Sequence, residues 1–231
     1  MVIILLKKIS FLYQNKIAHR GIHGKYQENT IESFKEAVKR NYTIELDLRM
    51  TQDNYLVIYH DDTLKRLHHQ NKKITKLNIE DIKDYKNIPT LEEVLSIVNG
   101  KVPIIIEIKW DKRIKRLIQK LNQLLKNYQG DIAIMSFYLQ ALINQNKENP
   151  NYPIGYLLNR FLPNYFFAFI FLKINFFHLD FLAVDLTLLK DSLILKLRKK
   201  YLILGYSINK NKEYDQYKEY ADNFIWDSFK Y

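Results

Sequence analysis

Short apolar runs rich in β-branched residues alternate along the chain with segments whose apolar positions recur every three to four residues. This is the pattern of repeated strand–helix units around a parallel sheet. The strand-like runs are Ile17–Arg20, Ile44–Met50, Ile104–Lys109, Ile132–Phe137, Ile154–Leu158, Phe181–Leu186, Leu202–Ser207 and Phe224–Asp227. Helical spacing is clearest at Ile31, Phe34 and Val38 and again at Leu91, Val94, Leu95 and Val98. Eight strands with helices between them predict a closed (β/α)8 TIM barrel occupying residues 1–231 as one domain. Asn29-Thr30 followed by Glu32 and Glu36, and Pro89-Thr90 followed by Glu92 and Glu93, mark helix starts, where polar caps and acidic first turns suit the helix dipole.

Tyr55–His60 is an extra strand outside that repeat, separated from the second by little more than Asp53-Asn54, so it must fold back as a hairpin. A two-residue turn at Asp53-Asn54 would set His60 across from Asp47. Residues 61–88, polar and lysine-rich, then form a small insertion. The sequence stops soon after Asp227, which predicts a missing or truncated final helix, and Val2–Tyr13, apolar on one side, is expected to pack over the face left bare.

Hydrophobic residues at 47% and charged residues at 26% fit an ordinary globular chain. Cysteine is absent, which excludes disulfides, thiolate catalysis and sulfur-ligated zinc, and leaves oxygen and imidazole to hold any metal. The first apolar run is very short and precedes Lys7-Lys8, the reverse of a secretory signal, so a cytoplasmic location is expected. A formal charge of +11 points to an anionic partner: a phosphate substrate or, peripherally, the inner membrane face. The lysines are scattered and no nucleic-acid motif is present, so no nucleic-acid partner is expected. The apolar stretch Phe161 to Leu172 is too short to cross a bilayer, which takes about 20 residues.

Side chains two apart on a strand share a face, so Glu45 and Asp47 point together, as do Glu107 and Lys109. Three converging carboxylates repel one another, and Lys109 alone does not balance them. A bound divalent ion does, and oxygen-only ligation by Glu45, Asp47 and Glu107 favours Mg2+ or Ca2+ over zinc. A charge-paired barrel core of Glu and Lys is the bland alternative, and it is costly to bury. His19 and Arg20 end the first strand at the mouth where such barrels carry their chemistry, and His60 arrives from the hairpin. Two imidazoles either side of a phosphate can divide proton removal and donation, while Arg20 and Lys109 supply positive charge to its oxygens. Asp61 could orient a histidine or cap the following turn, of which the cap is expected, and His23, His68, His69 and His178 are expected to be structural.

With these residues in place, the chain resembles the glycerophosphodiester phosphodiesterase family, within the phospholipase-C-like barrel enzymes. The segments that carry the likeness are Ala18-His-Arg-Gly21, Glu28-Asn-Thr30, Glu45-Leu-Asp47, His60-Asp-Asp-Thr-Leu64, Ile88-Pro-Thr-Leu-Glu-Glu-Val94 and Ile106-Glu-Ile-Lys109. Ser136-Phe137, Tyr206-Ser-Ile-Asn209 and Ile225-Trp-Asp227 echo weaker positions. The resemblance implies a barrel with an insertion after the His-Asp pair. It also implies metal-assisted attack of the glycerol 2-hydroxyl on phosphorus, a cyclic phosphate opened by water, and release of sn-glycerol 3-phosphate and an alcohol, with His19 and His60 as acid and base.

Departures from the family pattern touch the pocket wall: Tyr206 stands where the family has Trp, Gln27 where it has Pro, and Ala221-Asp-Asn-Phe224 where it has a glycine-rich run. The aromatic stretch Tyr165–Leu172 follows strand five and would either grip an acyl chain or pack on the barrel exterior. Two other functions remain open at this level: a lysophospholipase D working at a membrane surface, and a catalytically silent barrel that binds phosphorylated ligands.

Overall fold

The computed structural model describes residues 9–160 and 178–227, so the aromatic stretch and the first eight residues lie outside the described residues. Among the described residues nine strands form one sheet: β1 Ile17–Ala18, β2 Thr43–Met50, β3 Leu56–Ile58, β4 Ile104–Ile108, β5 Ile132–Ser136, β6 Ile154–Leu158, β7 Phe181–Asp185, β8 Leu202–Ile208 and β9 Asn223–Trp226. All but β3 run parallel, and β1 pairs with both β2 and β9, which closes the predicted eight-stranded barrel. Each of the eight expected strands appears, within two residues of its expected ends.

The eight residues of β2 are all buried because a barrel strand is covered on both faces. Ile44, Leu46, Leu48 and Met50 face outward and pack with Phe34 and Ala37 of helix Ile31–Lys39 and with Leu91, Val94 and Val98 of helix Leu91–Val98. Glu45, Asp47 and Arg49 take the other face. The two helices start at Thr30 and Thr90, each closing a reciprocal cap with the residue three positions on. Among the described residues, no helix is long and apolar enough to cross a membrane.

The barrel interior is divided by depth. Towards the N-terminal ends of the strands, Ile17, Ile105, Ala133, Leu157, Phe181 and Ile225 form an apolar layer. Ile9, Phe11 and Leu12 join this layer, and Asn223 Nδ2 donates to Leu12 O at 2.9 Å and Asn15 O at 2.8 Å. The described part of the N-terminal segment therefore plugs the interior layer instead of covering the outer face expected for it. An amphipathic stripe records that one side is apolar but not which surface receives it. Leu12→Ala should cost about 2–5 kcal/mol, as for a large core side chain lost without collapse, and a urea midpoint will read it. A loss below about 0.5 kcal/mol, the range of a surface change, would remove the plug from the core.

The hairpin between β2 and β3 corrects a second expectation. The pairs are Leu48 with Ile58, Arg49 with Val57 and Met50 with Leu56, so Tyr59 stands across from Asp47, its N donating to Asp47 O at 2.9 Å. Thr51 N donates to Tyr55 O at 2.9 Å, so the loop is Gln52-Asp53-Asn54, with Asn54 at φ +71°. Three-residue hairpins that end in a left-handed residue are a favoured class, and one added residue shifts the register. Beyond the hairpin, residues 61–88 build a small core of their own, in which Leu64, Ile74, Leu77, Ile82 and Ile88 pack with Val57 and Tyr59.

Candidate active site

Above the apolar layer the barrel interior turns polar. Asp47 on β2 pairs in register with Glu107 on β4, and Glu45 lies two residues earlier on the same face as Asp47. One ligand atom from each of the three carboxylates lies within 4.8 Å of the others, and all three residues are buried. Lys109, just past β4, places Nζ 2.7 Å from Asp47 Oδ1 and 2.5 Å from Glu107 Oε1. Arg20 contributes Nε at 3.2 Å from Asp47 Oδ2, while its backbone N donates to Glu45 Oε2 at 3.0 Å. Asn29 Nδ2 donates to Asp47 Oδ2 at 2.7 Å.

The electrostatics of the cluster are unequal. Burial would raise Asp47, but Lys109 and Arg20 hold it well below the ordinary carboxylate range. Glu45 is pushed well above that range by burial and by the charges of Asp47 and Glu107, and burial likewise raises Glu107. Burial opposes the charge on Lys109, and Asp47 with Glu107 more than restores it. Glu45 Oε1 is buried with no hydrogen-bond partner among the described residues. An orphaned acceptor in a pocket of three carboxylates and two nearby cations fits a missing positive charge, and the all-oxygen donor set suits a hard divalent ion. The three carboxylates could therefore hold a metal ion.

His60 reaches this site even though the register differs from the one expected. β3 ends at Ile58, the chain bends, and Arg49 donates Nε (3.1 Å) and Nη2 (2.7 Å) to His60 O. The side chain is held by Asp61, whose Oδ1 is 2.6 Å from His60 Nδ1 and whose Oδ2 accepts from Arg66 Nε at 2.7 Å. Asp61 thus holds the histidine in place of the turn cap expected of it, because the strand alternation that separates neighbours has already ended. Arg66 also reaches Glu28, with Nη2 at 2.5 Å from Oε1, and Glu28 accepts from Arg20 Nη1 at 2.9 Å. The insertion is tied in this way to the loop after β1.

His19 follows β1, and Nδ1 bonds Asp227 Oδ1. Ala18 pairs with Trp226 on β9, so the next residues of the two strands emerge side by side. Arg20 lies at φ +56° and Gly21 at φ +78°, a turn so close to helix Ile31–Lys39 that a Cβ on Gly21 would come 2.5 Å from Ser33 Oγ. Burial lowers the pKa of His19 and of His60. Burial would raise Asp227, but the hydrogen bonds and charges of His19 and His23 hold it well below its ordinary value.

A cleft of about 960 Å³ opens from Glu107, Lys109 and His60, and Arg49, Trp110 and Tyr138 also line it. Phe137, also on the lining, meets Tyr206 edge to face at 6.3 Å, and Tyr206 OH donates to Leu158 O at 2.8 Å. Tyr206 therefore backs the cleft wall. The seven residues expected at the reaction centre converge around one polar mouth. Sequence reasoning missed the roles of Asp227, Glu28, Asn29, Arg49 and Arg66. Asp227 had a usable signal, since a closed barrel makes the last strand the neighbour of the first.

Fold and site together define a (β/α)8 barrel with a metal-capable carboxylate centre at the C-terminal ends of its strands. The chain belongs to the glycerophosphoryl diester phosphodiesterase family, whose model matches residues 19–220. It is 30% identical over 152 residues to a putative glycerophosphodiester phosphodiesterase of Bacillus subtilis, covering 59% of this chain and 63% of that one. It is also 30% identical over 188 residues to the lysophospholipase D GDPD1 of Homo sapiens, covering 69% and 59%. The matched regions thus span about three-fifths of the length of these curated relatives. A glycerophosphodiester phosphodiesterase of Thermotoga maritima superposes with a TM-score of 0.75 at 26% identity, covering 91% of this chain and 92% of that one. An Oleispira antarctica phosphodiesterase, solved with the product sn-glycerol-3-phosphate, shares the fold with a TM-score of 0.82 at 20% identity, covering 95% and 94%.

Proposed function

We propose that this chain hydrolyses glycerophosphodiesters to sn-glycerol 3-phosphate and an alcohol, with a divalent ion, Mg2+ or Ca2+, held by Glu45, Asp47 and Glu107. The observation that carries the reading is the buried carboxylate cluster with its orphaned Glu45 Oε1, set beside two imidazoles that each have a carboxylate partner. Family membership and the named activities of the relatives support it.

A divalent ion held by Glu45, Asp47 and Glu107 would supply positive charge to the phosphate and polarise the attacking hydroxyl. Arg20 and Lys109 add fixed positive charge at the same mouth and keep Asp47 ionised. Burial lowers the proton affinities of His19 and His60, which favours the neutral form for the ring that acts as base, while the ring that acts as acid must first bind a proton at Nε2 before it gives one up. Asp227 and Asp61 each engage an Nδ1, which leaves Nε2 as the working atom of both rings. One ring takes the proton of the glycerol 2-hydroxyl as its oxygen bonds to phosphorus. The other protonates the leaving alcohol oxygen. Water then opens the cyclic phosphate with the two roles reversed.

The second reading is a lysophospholipase D, favoured by the human relative and by Trp110 and Tyr138, exposed aromatics whose rings lie 5.2 Å apart on the cleft lining. In either case the chain's positive charge would allow contact with an anionic membrane face. Glycerophosphocholine and lysophosphatidylcholine should be compared as substrates after chelation and after restoring Mg2+ or Ca2+. Chelation should abolish turnover of the soluble diester, and one of the two ions should restore it. Cleavage of the lysolipid alone selects the second reading, and no turnover of any diester in either ion removes both.

A further inference from the structure

A second donor set lies beside the carboxylate centre. His19, His23 and Asp227 bring two ring nitrogens and a carboxylate oxygen within 4.8 Å of one another. His19 Nδ1 bonds Asp227 Oδ1, and His23 Nε2 stands 3.4 Å from the same oxygen. The imidazoles meet edge to face, with centroids 6.5 Å apart. The hydrolysis described above uses His19 and Asp227 but gives His23 no task.

We propose that His19, His23 and Asp227 form a second metal site, selective for zinc and similar transition ions, whose occupation withdraws His19 from proton transfer. Two imidazoles and one carboxylate are a zinc-type set that leaves a fourth position open, whereas the all-oxygen cluster below favours a hard ion. Donors in a tetrahedral zinc shell stand roughly 3.4 Å apart, given bonds near 2.0–2.1 Å. The His23–Asp227 pair already has that separation. The remaining adjustment is to open the His19–Asp227 contact, which is closer than that, and to bring the two imidazoles together, which the loop carrying His23, flanked by Gly21 at φ +78° and Gly24 at φ +113°, can supply. All three side chains are partly exposed, at 19%, 19% and 31%, so an ion has a path in.

Inhibition follows from which atom is taken. Zinc on His19 Nδ1 replaces the hydrogen bond that orients the ring, and a neutral imidazole held through Nδ1 carries its proton on Nε2, which then has no lone pair to accept one. The site would make the chain respond oppositely to two classes of divalent ion: activated by one at the carboxylates and silenced by the other next to them.

Zinc binding is measured by calorimetry on the protein supplied with the ion that supports turnover, and zinc inhibition is measured in parallel. The wild-type protein should take up one zinc ion and lose activity with it. His23→Gln, and His23→Ser as a second variant, should weaken both zinc affinity and inhibition by about tenfold or more while metal-supported turnover stays within about twofold. Glu45→Gln should retain the zinc isotherm. Unchanged zinc affinity in both His23 variants, loss of the isotherm in Glu45→Gln, or no zinc uptake by the wild-type protein would each overturn the proposal. The inhibition rests on the proposed hydrolysis but the binding does not, so a protein that turns over no diester yet shows a His23-dependent isotherm contradicts only the former.

Discussion

Glu45→Gln is expected to reduce turnover by about 10²–10³-fold and, in chelator, to raise the melting temperature above that of the wild-type protein. The two effects have one cause. Glu45 is fully buried next to two other carboxylates, has one oxygen without a partner, and has its proton affinity raised by burial and by its neighbours. Without a cation the folded state carries that repulsion, and the unfolded chain does not. A neutral amide of the same shape removes it, and at this chain length each kcal/mol appears as about 2–4 °C. With Mg2+ or Ca2+ present the order should reverse, because ligand binding stabilises only the form that retains the site. Thermal melts of both proteins with chelator and with each ion provide the check. A variant that melts lower in chelator, or that keeps a wild-type rise in melting temperature with metal, would show that Glu45 belongs to a charge-paired core and not to a metal centre.

The barrel was legible from the sequence because parallel strands buried on both faces read as continuous apolar runs. The carboxylates were legible because Glu45, Asp47 and Glu107 are charged residues inside such runs. What could not be read depends on single-residue choices and on contacts between distant segments. Asp53-Asn54 suits a two-residue turn as well as the three-residue loop that forms, but the favoured two-residue turns need φ > 0 at Asp53, and of the pair Asn54 alone is left-handed. For His60 the register of a two-residue turn does not form, although the side chain still reaches the site. It arrives there because the strand ends early and Arg49 catches its carbonyl. Arg66 gave no local signal, since its partners Asp61 and Glu28 come from two segments that only the folded barrel brings together. The plug at Phe11 and Leu12 was visible as apolar but not as interior.

Asp227→Asn is expected to lower kcat by about 10²–10⁴-fold with little change in KM, the range seen when the carboxylate behind a catalytic histidine becomes an amide. Asp227 touches His19 and His23, not the carboxylate cluster. Its charge is retained because the hydrogen bond from His19 holds its pKa low against the effect of burial. An ionised carboxylate only accepts hydrogen bonds, so it requires the proton of neutral His19 on Nδ1 and leaves Nε2 free to take a proton from substrate. An amide can present its NH2 group to Nδ1 instead, which stabilises the other tautomer and puts the proton on the atom that must accept one. In the proposed function substrate affinity rests on the metal-capable cluster, Arg20 and Lys109, none of which the change touches, so the loss should fall on kcat. Asp227→Glu retains the charge at a longer reach and should recover part of the rate. Steady-state kinetics of both variants settle the point: a kcat within about threefold of wild type for Asp227→Asn, or a loss carried by KM alone, would mean that His19 does not work through Nε2.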